Sequence, residues 1–242
     1  MAKFFVDQDK IKDGWILIDG QDAKHLKTVL RCREGEEITV CDGKGTDFYC
    51  RIREFTPEGV LLDRLEQSKC DTEPSIEITL FQGLPKGDKM ELIIQKCVEV
   101  GVSRIVPVAT QRAIAKVGKK EEQKTARWQK IALSAAEQSG RGKIPVIGGV
   151  LNFKEAAEQC AKLDGGLIPY EKEEKTGLRE FSNKFTGKTI GILIGPEGGF
   201  APEEVEFAKE RGIIPVTLGR RILRTETAGL ITAAILLYET DR

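Results

Sequence analysis

The chain of 242 residues contains one histidine, His25, and that scarcity removes whole classes of chemistry. A Ser-His-Asp hydrolase would have to be built on it, no G-x-S-x-G elbow exists to partner it, and a histidine-rich metal site is excluded. The six cysteines, at positions 32, 41, 50, 70, 97 and 160, never approach C-x-x-C spacing. Scattered reduced thiols of a cytoplasmic protein are therefore expected, and no metal. No run approaches the roughly 18 to 20 apolar residues needed to cross a bilayer. The first residues, Met-Ala-Lys-Phe-Phe-Val-Asp, lack the apolar core of a secretion signal, so a cytoplasmic location and no membrane partner are expected. Net charge is also absent, because 38 basic side chains balance 38 acidic ones. Any nucleic-acid binding must then come from local patches. Neither G-x-x-x-x-G-K-[ST] nor G-x-G-x-x-G occurs, which removes the two commonest phosphate-binding loops.

Local patches are present. Residues 111–130 hold seven cations (Arg112, Lys116, Lys119, Lys120, Lys124, Arg127 and Lys130) against Glu121 and Glu122, a surplus of five. His25 lies in Lys-His-Leu-Lys-Thr-Val-Leu-Arg, the setting of a surface residue near a polyanion. Arg220, Arg221 and Arg224 fall within a single loop. A charge run on a helix is ordinarily a solvated face, but an arginine triplet inside a loop behind a buried strand is harder to explain that way.

Two regions differ in pattern. Residues 1–70 carry short alternating segments (15–18, 37–41, 47–52 and 59–62) punctuated by Asp-Gly and Gly-Lys-Gly, the pattern of a small β domain. The polar stretch 67–75, with Pro74, reads as a linker. From residue 76 strands alternate with helices, as in an α/β domain with a parallel sheet, giving expected domains 1–70 and 71–242. Strands are expected at 76–82, 104–108, 166–169, 189–194 and 213–218. Helices are expected at 88–100, 121–139, from 152 or 153 to 163, and 227–239. The last helix is apolar nearly all round, so it must be covered on more than one side, within the domain or by a second subunit.

The most informative segments follow the strands 189–194 and 213–218. Gly195-Pro-Glu-Gly-Gly-Phe200 precedes a helix opened by Pro202 and acidic residues, and Leu218-Gly-Arg-Arg-Ile-Leu-Arg-Thr-Glu-Thr-Ala228 runs into the last helix. Loops at the carboxyl ends of parallel strands are where open α/β sheets bind ligands, so the pair should form one pocket. Glu197, Glu203 and Glu204 place negative charge where a phosphate would sit, so a ligand without phosphate suits the loop better.

These two motifs closely resemble those of the SPOUT-class methyltransferases that modify N3 of a uridine in the 16S rRNA decoding region. The similarity extends to Lys86-Gly-Asp-Lys-Met-Glu91 with Gly101-Val102, and to Ala135-Ala-Glu-Gln-Ser139 with Arg141 and Pro145. His25-Leu26 and Val29-Leu30-Arg31 resemble the family's N-terminal PUA-like RNA-binding domain, so the likeness covers nearly the whole chain. Lys24 departs from a frequent histidine, and Gln111-Arg112-Ala113 from Glu-Arg-Ser; both are expected to lie away from the cofactor loops and to affect RNA contact only.

The resemblance implies an α/β SPOUT domain with a trefoil knot behind a small N-terminal PUA-like β-barrel, working as a homodimer on 16S rRNA within the small ribosomal subunit. It implies S-adenosyl-L-methionine held by Ile168, Pro169 and Tyr170, by Gly195, Glu197, Gly198 and Gly199, and by Leu218, Gly219, Ile222 and Leu223. Arg224 is expected to stabilise the uridine anion and Glu226 to act as the nearby base, the alternative for Glu226 being a helix-start residue. Lys24, His25, Lys27, Arg31, Arg33, Arg112, Lys116, Lys119 and Lys120 are the expected RNA contacts. Two other readings stay open here: a SPOUT enzyme with another RNA target, and a non-catalytic RNA-binding assembly factor.

Overall fold

The computed structural model describes residues 3–113 and 121–240. They form two compact units, one from the described residues up to Glu73 together with Ala136–Ile144, the other from those of Pro74–Ala135 and Pro145–Arg242.

In the first unit β1 (Lys3–Phe5), β2 (Trp15–Ile18), β3 (Glu37–Cys41), β4 (Thr46–Phe55) and β5 (Val60–Lys69) pair in the order β1-β3-β4-β5-β2. Alternation along each strand sends Phe4, Ile16, Ile18, Ile38, Val40, Phe48, Cys50, Ile52, Val60 and Leu62 into one core. All five strands therefore contribute to a single apolar cluster, in one sheet with β1 and β2 at its ends. A short helix α1 (Gly20–Lys24) runs into a wider turn at His25–Val29 that buries Leu26 and leaves its basic side chains exposed. Residues 136–144 join this unit through Arg141, whose guanidinium donates to Glu73 at 2.8 and 2.9 Å while Gly142 N donates to the same carboxylate at 2.8 Å.

The second unit contains β6 (Glu77–Gly83), α2 (Lys89–Val100), β7 (Arg104–Ala109), most of α3 (Glu121–Gln138), β8 (Val146–Ile147), β9 (Leu151–Asn152), α4 (Phe153–Cys160), β10 (Gly165–Pro169), α5 (Leu178–Lys184), β11 (Thr189–Ile194), α6 (Pro202–Lys209), β12 (Ile214–Val216) and α7 (Thr225–Thr240). Its strands are all parallel, ordered β12-β10-β11-β6-β7-β8, with β9 also pairing with β7. The apolar runs of β6 and β11 lie at the centre, buried on both faces as parallel strands require. Helix α2 buries Met90, Ile93, Ile94, Cys97 and Val98 and stops at Gly101, whose φ of 118° lets Val102 N turn back to Cys97 O. Helix α7 packs on α2, α5 and the sheet, but leaves Ile231, Ile235 and Tyr238 exposed along one stripe.

Each strand and helix expected from residue 76 onward is present, with ends shifted by a few residues. The short helices α1 and α5 were not legible, since neither is long enough to show a period.

Candidate functional site

Strands β10, β11 and β12 end side by side. The register sets Pro169 beside Val216, Tyr170 N donates to Val216 O at 3.0 Å, and Thr217 N donates to Thr176 O at 2.8 Å. The loops that follow the three strands enclose a cavity of about 970 Å³. Its walls are residues 169–171, 173 and 174 after β10, residues 194–200 after β11, and residues 217–225 leading into α7, with Lys89 and Ala228. The size is that of a site for a substantial organic ligand.

Ten of the eleven residues expected to hold the cofactor line this cavity, so three stretches far apart in sequence meet in one place. The exception is Ile168, which is 0% exposed and packs in the core with Phe81, Leu193 and Phe200. Gly166, Leu167 and Ile168 are all buried within β10, and the cavity lining begins at Pro169. Ile222 is 87% exposed at the cavity, an apolar side chain with nothing over it among the described residues.

Backbone proximity explains the glycines. Gly199 has φ 65° and donates its N–H to Pro196 O at 2.9 Å, closing a turn that other residues rarely adopt. At the end of β6, a Cβ on Gly83 would lie 2.6 Å from Pro196 N, so strand and loop touch backbone to backbone. The start of α7 is fastened to the same loop: Gln82 Nε2 donates to Thr225 Oγ1 at 2.8 Å, and Thr225 Oγ1 donates to Gly195 O at 2.7 Å.

Lys89 is the residue that sequence reasoning missed. Its Nζ is 2.9 Å from Glu197 Oε1 and 3.3 Å from Glu226 Oε2, so one ammonium bridges the β11 loop and the first turn of α7. The Glu226 contact is an ion pair without hydrogen-bond alignment. Burial pushes the Glu197 carboxyl up, but Lys89 and the Glu197 and Lys86 amides outweigh it and hold it below the usual range. Glu226 is held low first by its own backbone amide and then by Lys89. Glu226 does not itself line the cavity, whereas Arg224 does and is exposed there. The cation within Lys-Gly-Asp-Lys was the available signal, but its partners are over a hundred positions away.

Glu204 is already in use. It is 8% exposed, accepting from Ala201 N at 2.8 Å and Gln111 N at 2.9 Å. Arg112 Nη1 donates to Gly198 O at 3.1 Å. Residues 111–112 therefore lie against the β11 loop, which corrects the expectation that their departure from the family pattern falls away from it. Lys24, His25, Lys27, Arg31 and Arg33 are all exposed in one stretch of the first unit, with Arg31 at φ 55°. Lys116, Lys119 and Lys120 lie outside the described residues. No group of three metal-binding side chains occurs among the described residues, and none of their helices is long and apolar enough to cross a membrane.

A family model described as an RNA methyltransferase domain matches residues 72–237, and one described as an RNA methyltransferase PUA domain matches residues 18–63. The chain belongs to the RNA methyltransferase family. Among its relatives in that family, the ribosomal RNA small subunit methyltransferase E of Bacillus subtilis is 35% identical, covering 100% of this chain and 98% of the relative. The protein of the same name from Mesomycoplasma hyopneumoniae is 33% identical, covering 95% and 96%. A crystal structure of the Neisseria gonorrhoeae ribosomal RNA small subunit methyltransferase E bound to S-adenosyl methionine is 34% identical, with a TM-score of 0.88 and coverage of 98% and 96%. The α/β domain with its parallel sheet and the N-terminal PUA domain are thus those of this family.

Proposed function

We propose that the chain transfers the methyl group of S-adenosyl methionine to N3 of a uridine in small-subunit ribosomal RNA. The observation that carries the reading is the cavity made by the loops after β10, β11 and β12, lined by ten of the eleven residues the resemblance assigned to that cofactor. The Neisseria neighbour crystallised with S-adenosyl methionine supports the cofactor, and the name shared by the relatives supports the small-subunit rRNA.

The residues present fit the group. Glu197 and the buried Glu204 oppose a phosphate, and the glycine turn at Pro196–Gly199 leaves a cradle that side chains would fill. Pro169, Tyr170, Leu218, Ile222 and Leu223 supply apolar walls for an adenine, with backbone groups of the loops at its edge. Bound there, the cofactor supplies a methyl group on a positively charged sulfur, and its transfer to nitrogen is a displacement at carbon. The protein aligns the acceptor and excludes water.

The acceptor N3 carries a proton, so its anion has to be favoured. Arg224, exposed on the cavity wall, places a cation for the uracil oxygens. Glu226, two residues on in the first turn of α7 but off the cavity wall, is the base that this reading assigns to the N3 proton. A carboxylate held low by its own amide and Lys89 is a weak base, so Arg224 makes the larger contribution. The target base is turned out of its stack at a cost of a few kcal/mol. Phosphate contacts are assigned to Lys24, His25, Lys27, Arg31 and Arg33 of the first unit, and, from the sequence alone, to Lys116, Lys119 and Lys120.

The exposed stripe of Ile231, Ile235 and Tyr238 on α7 supports a homodimer. The trefoil knot that the resemblance implies is part of this reading. The substrate is 16S rRNA within the small ribosomal subunit, and the location is cytoplasmic. Calorimetry with S-adenosyl methionine and nucleoside mass spectrometry of 16S rRNA from a strain lacking the gene test the function. Binding by the pure protein together with loss of N3-methyluridine is expected; unaltered N3-methyluridine would show another RNA target, and absent cofactor binding would show a non-catalytic RNA-binding factor.

A further inference from the structure

The turn that leaves β7 is built against the β11 loop. Ala113 N donates to Thr110 O at 3.1 Å, forming the turn, and Gln111 N donates to the buried carboxylate of Glu204 at 2.9 Å. Arg112 then lies over Gly198. A Cβ on Gly198 would come within 3.2 Å of Arg112 Cβ and 3.5 Å of its carbonyl oxygen, so the arginine backbone and the first atom of its side chain close that side of the glycine. The guanidinium folds back and Nη1 reaches Gly198 O at 3.1 Å.

The peptide unit between Gly198 and Gly199 is thereby held at both ends. Its N–H goes to Pro196 O at 2.9 Å, and its C=O receives Arg112. Both glycines line the cavity, and Gly199 holds a positive φ there, so this peptide is a wall of the cofactor site with no side chain to brace it. An outside brace is what such a loop needs. Glycine loses more conformational freedom on ordering than any other residue, and a wall that must be ordered by its ligand weakens binding by that entropy.

We infer that Arg112 is a positioning residue for the cofactor loop, setting the Gly198–Gly199 peptide before the ligand arrives, instead of a phosphate contact in the basic segment that contains it. The inference rests on the cavity binding S-adenosyl methionine. It separates two roles with different signatures. A phosphate contact lowers RNA affinity and reduces the slope of log K against log salt by about one. A loop brace lowers cofactor affinity and leaves that slope alone.

The test titrates S-adenosyl methionine into the full-length wild type, Arg112→Ala and Arg112→Lys by calorimetry, and measures binding of 16S rRNA over a salt series at saturating cofactor. Arg112→Ala is expected to raise the cofactor Kd about tenfold, the scale of one charge-assisted hydrogen bond. kcat at saturating cofactor should stay within about twofold of wild type, and the salt slope should be unchanged. Arg112→Lys, which keeps one donor above Gly198, should recover part of the affinity; it also carries the test if the alanine variant does not fold. A wild-type cofactor Kd in the variants overturns the inference, as does a loss confined to RNA with a salt slope reduced by about one. Failure of the wild type itself to bind the cofactor would sink the proposed function instead.

Discussion

Lys89 Nζ stands 2.9 Å from Glu197 Oε1, and the same ammonium reaches Glu226 at 3.3 Å. One cation thus ties the β11 loop to the first turn of α7, which the chain reaches about thirty residues later. Each partner keeps part of its surface in water, so each pair is screened and contributes modestly. Lys89→Met should therefore raise KM for S-adenosyl methionine about five- to tenfold with a smaller change in kcat, and Lys89→Arg should keep most of the affinity. Initial rates over a cofactor series check this; a wild-type KM in the methionine variant would remove Lys89 from assembly of the cavity.

Arg224 and Glu226 can be separated by what each loses. Arg224→Ala removes the cation that the proposed reaction aims at the developing uracil anion, so kcat should fall on the order of 10²- to 10³-fold while calorimetric binding of the cofactor stays unchanged. Glu226→Gln should cost about tenfold. Because the folded protein lowers the Glu226 pKa, its ionised form is fully present at neutral pH and is lost only below the usual carboxylate range. The acid limb of the wild-type kcat profile should lie there and disappear in the glutamine variant.

Two glycines near Pro196 differ in what they protect. Gly198 faces Arg112 across a gap that would leave a Cβ only 3.2 Å from Arg112 Cβ, so Gly198→Val should displace the loop and abolish cofactor binding in a folded protein. On Gly83 a Cβ would lie 2.6 Å from Pro196 N and 2.7 Å from its Cδ, both parts of a stiff residue, so Gly83→Ala should destabilise the unit by about 2 to 3 kcal/mol. Calorimetry and urea unfolding distinguish the outcomes. A valine variant that binds normally would contradict the first expectation, and an alanine variant of wild-type stability the second.

The loops were readable because their signal is local: apolar runs of strand length, glycines at turns, and a proline with acids at a helix start. What could not be read depends on partners distant in sequence. Lys89 meets Glu197 across 108 positions, Gln82 meets Thr225 across 143, and Arg112 meets Gly198 across 86. No local pattern distinguishes these side chains from solvated ones. Ile168 shows a different limit. A fully apolar strand such as β10 does not say in sequence which of its side chains is buried in the core, so the 0% exposure of Ile168 could not be read. The buried Arg141–Glu73 pair that attaches residues 136–144 to the first unit spans 68 positions and was equally invisible.

The segment 136–144 also carries a pH dependence. Burial raises the Glu137 carboxyl to about 7, and the negative charge of Asp22 adds to the rise; Asp22 is itself raised by burial, against the lowering influence of His25 and Lys10. In the unfolded chain Glu137 has an ordinary glutamate pKa, so between that value and about 7 the folded state binds the extra proton. Stability from this site is therefore fully present at low pH and is lost as pH rises through about 7. Glu137→Gln keeps the neutral shape without the charge. It should raise stability at pH ~8 by about 1 to 2 kcal/mol, allowing for the solvent that reaches a half-buried carboxyl, and change little at pH ~4, where the wild-type carboxyl is already protonated. Urea unfolding at the two pH values checks the difference. Equal gains at both would mean that the substitution acts through packing, and no gain at the higher pH would mean that Glu137 ionises in the folded protein without strain.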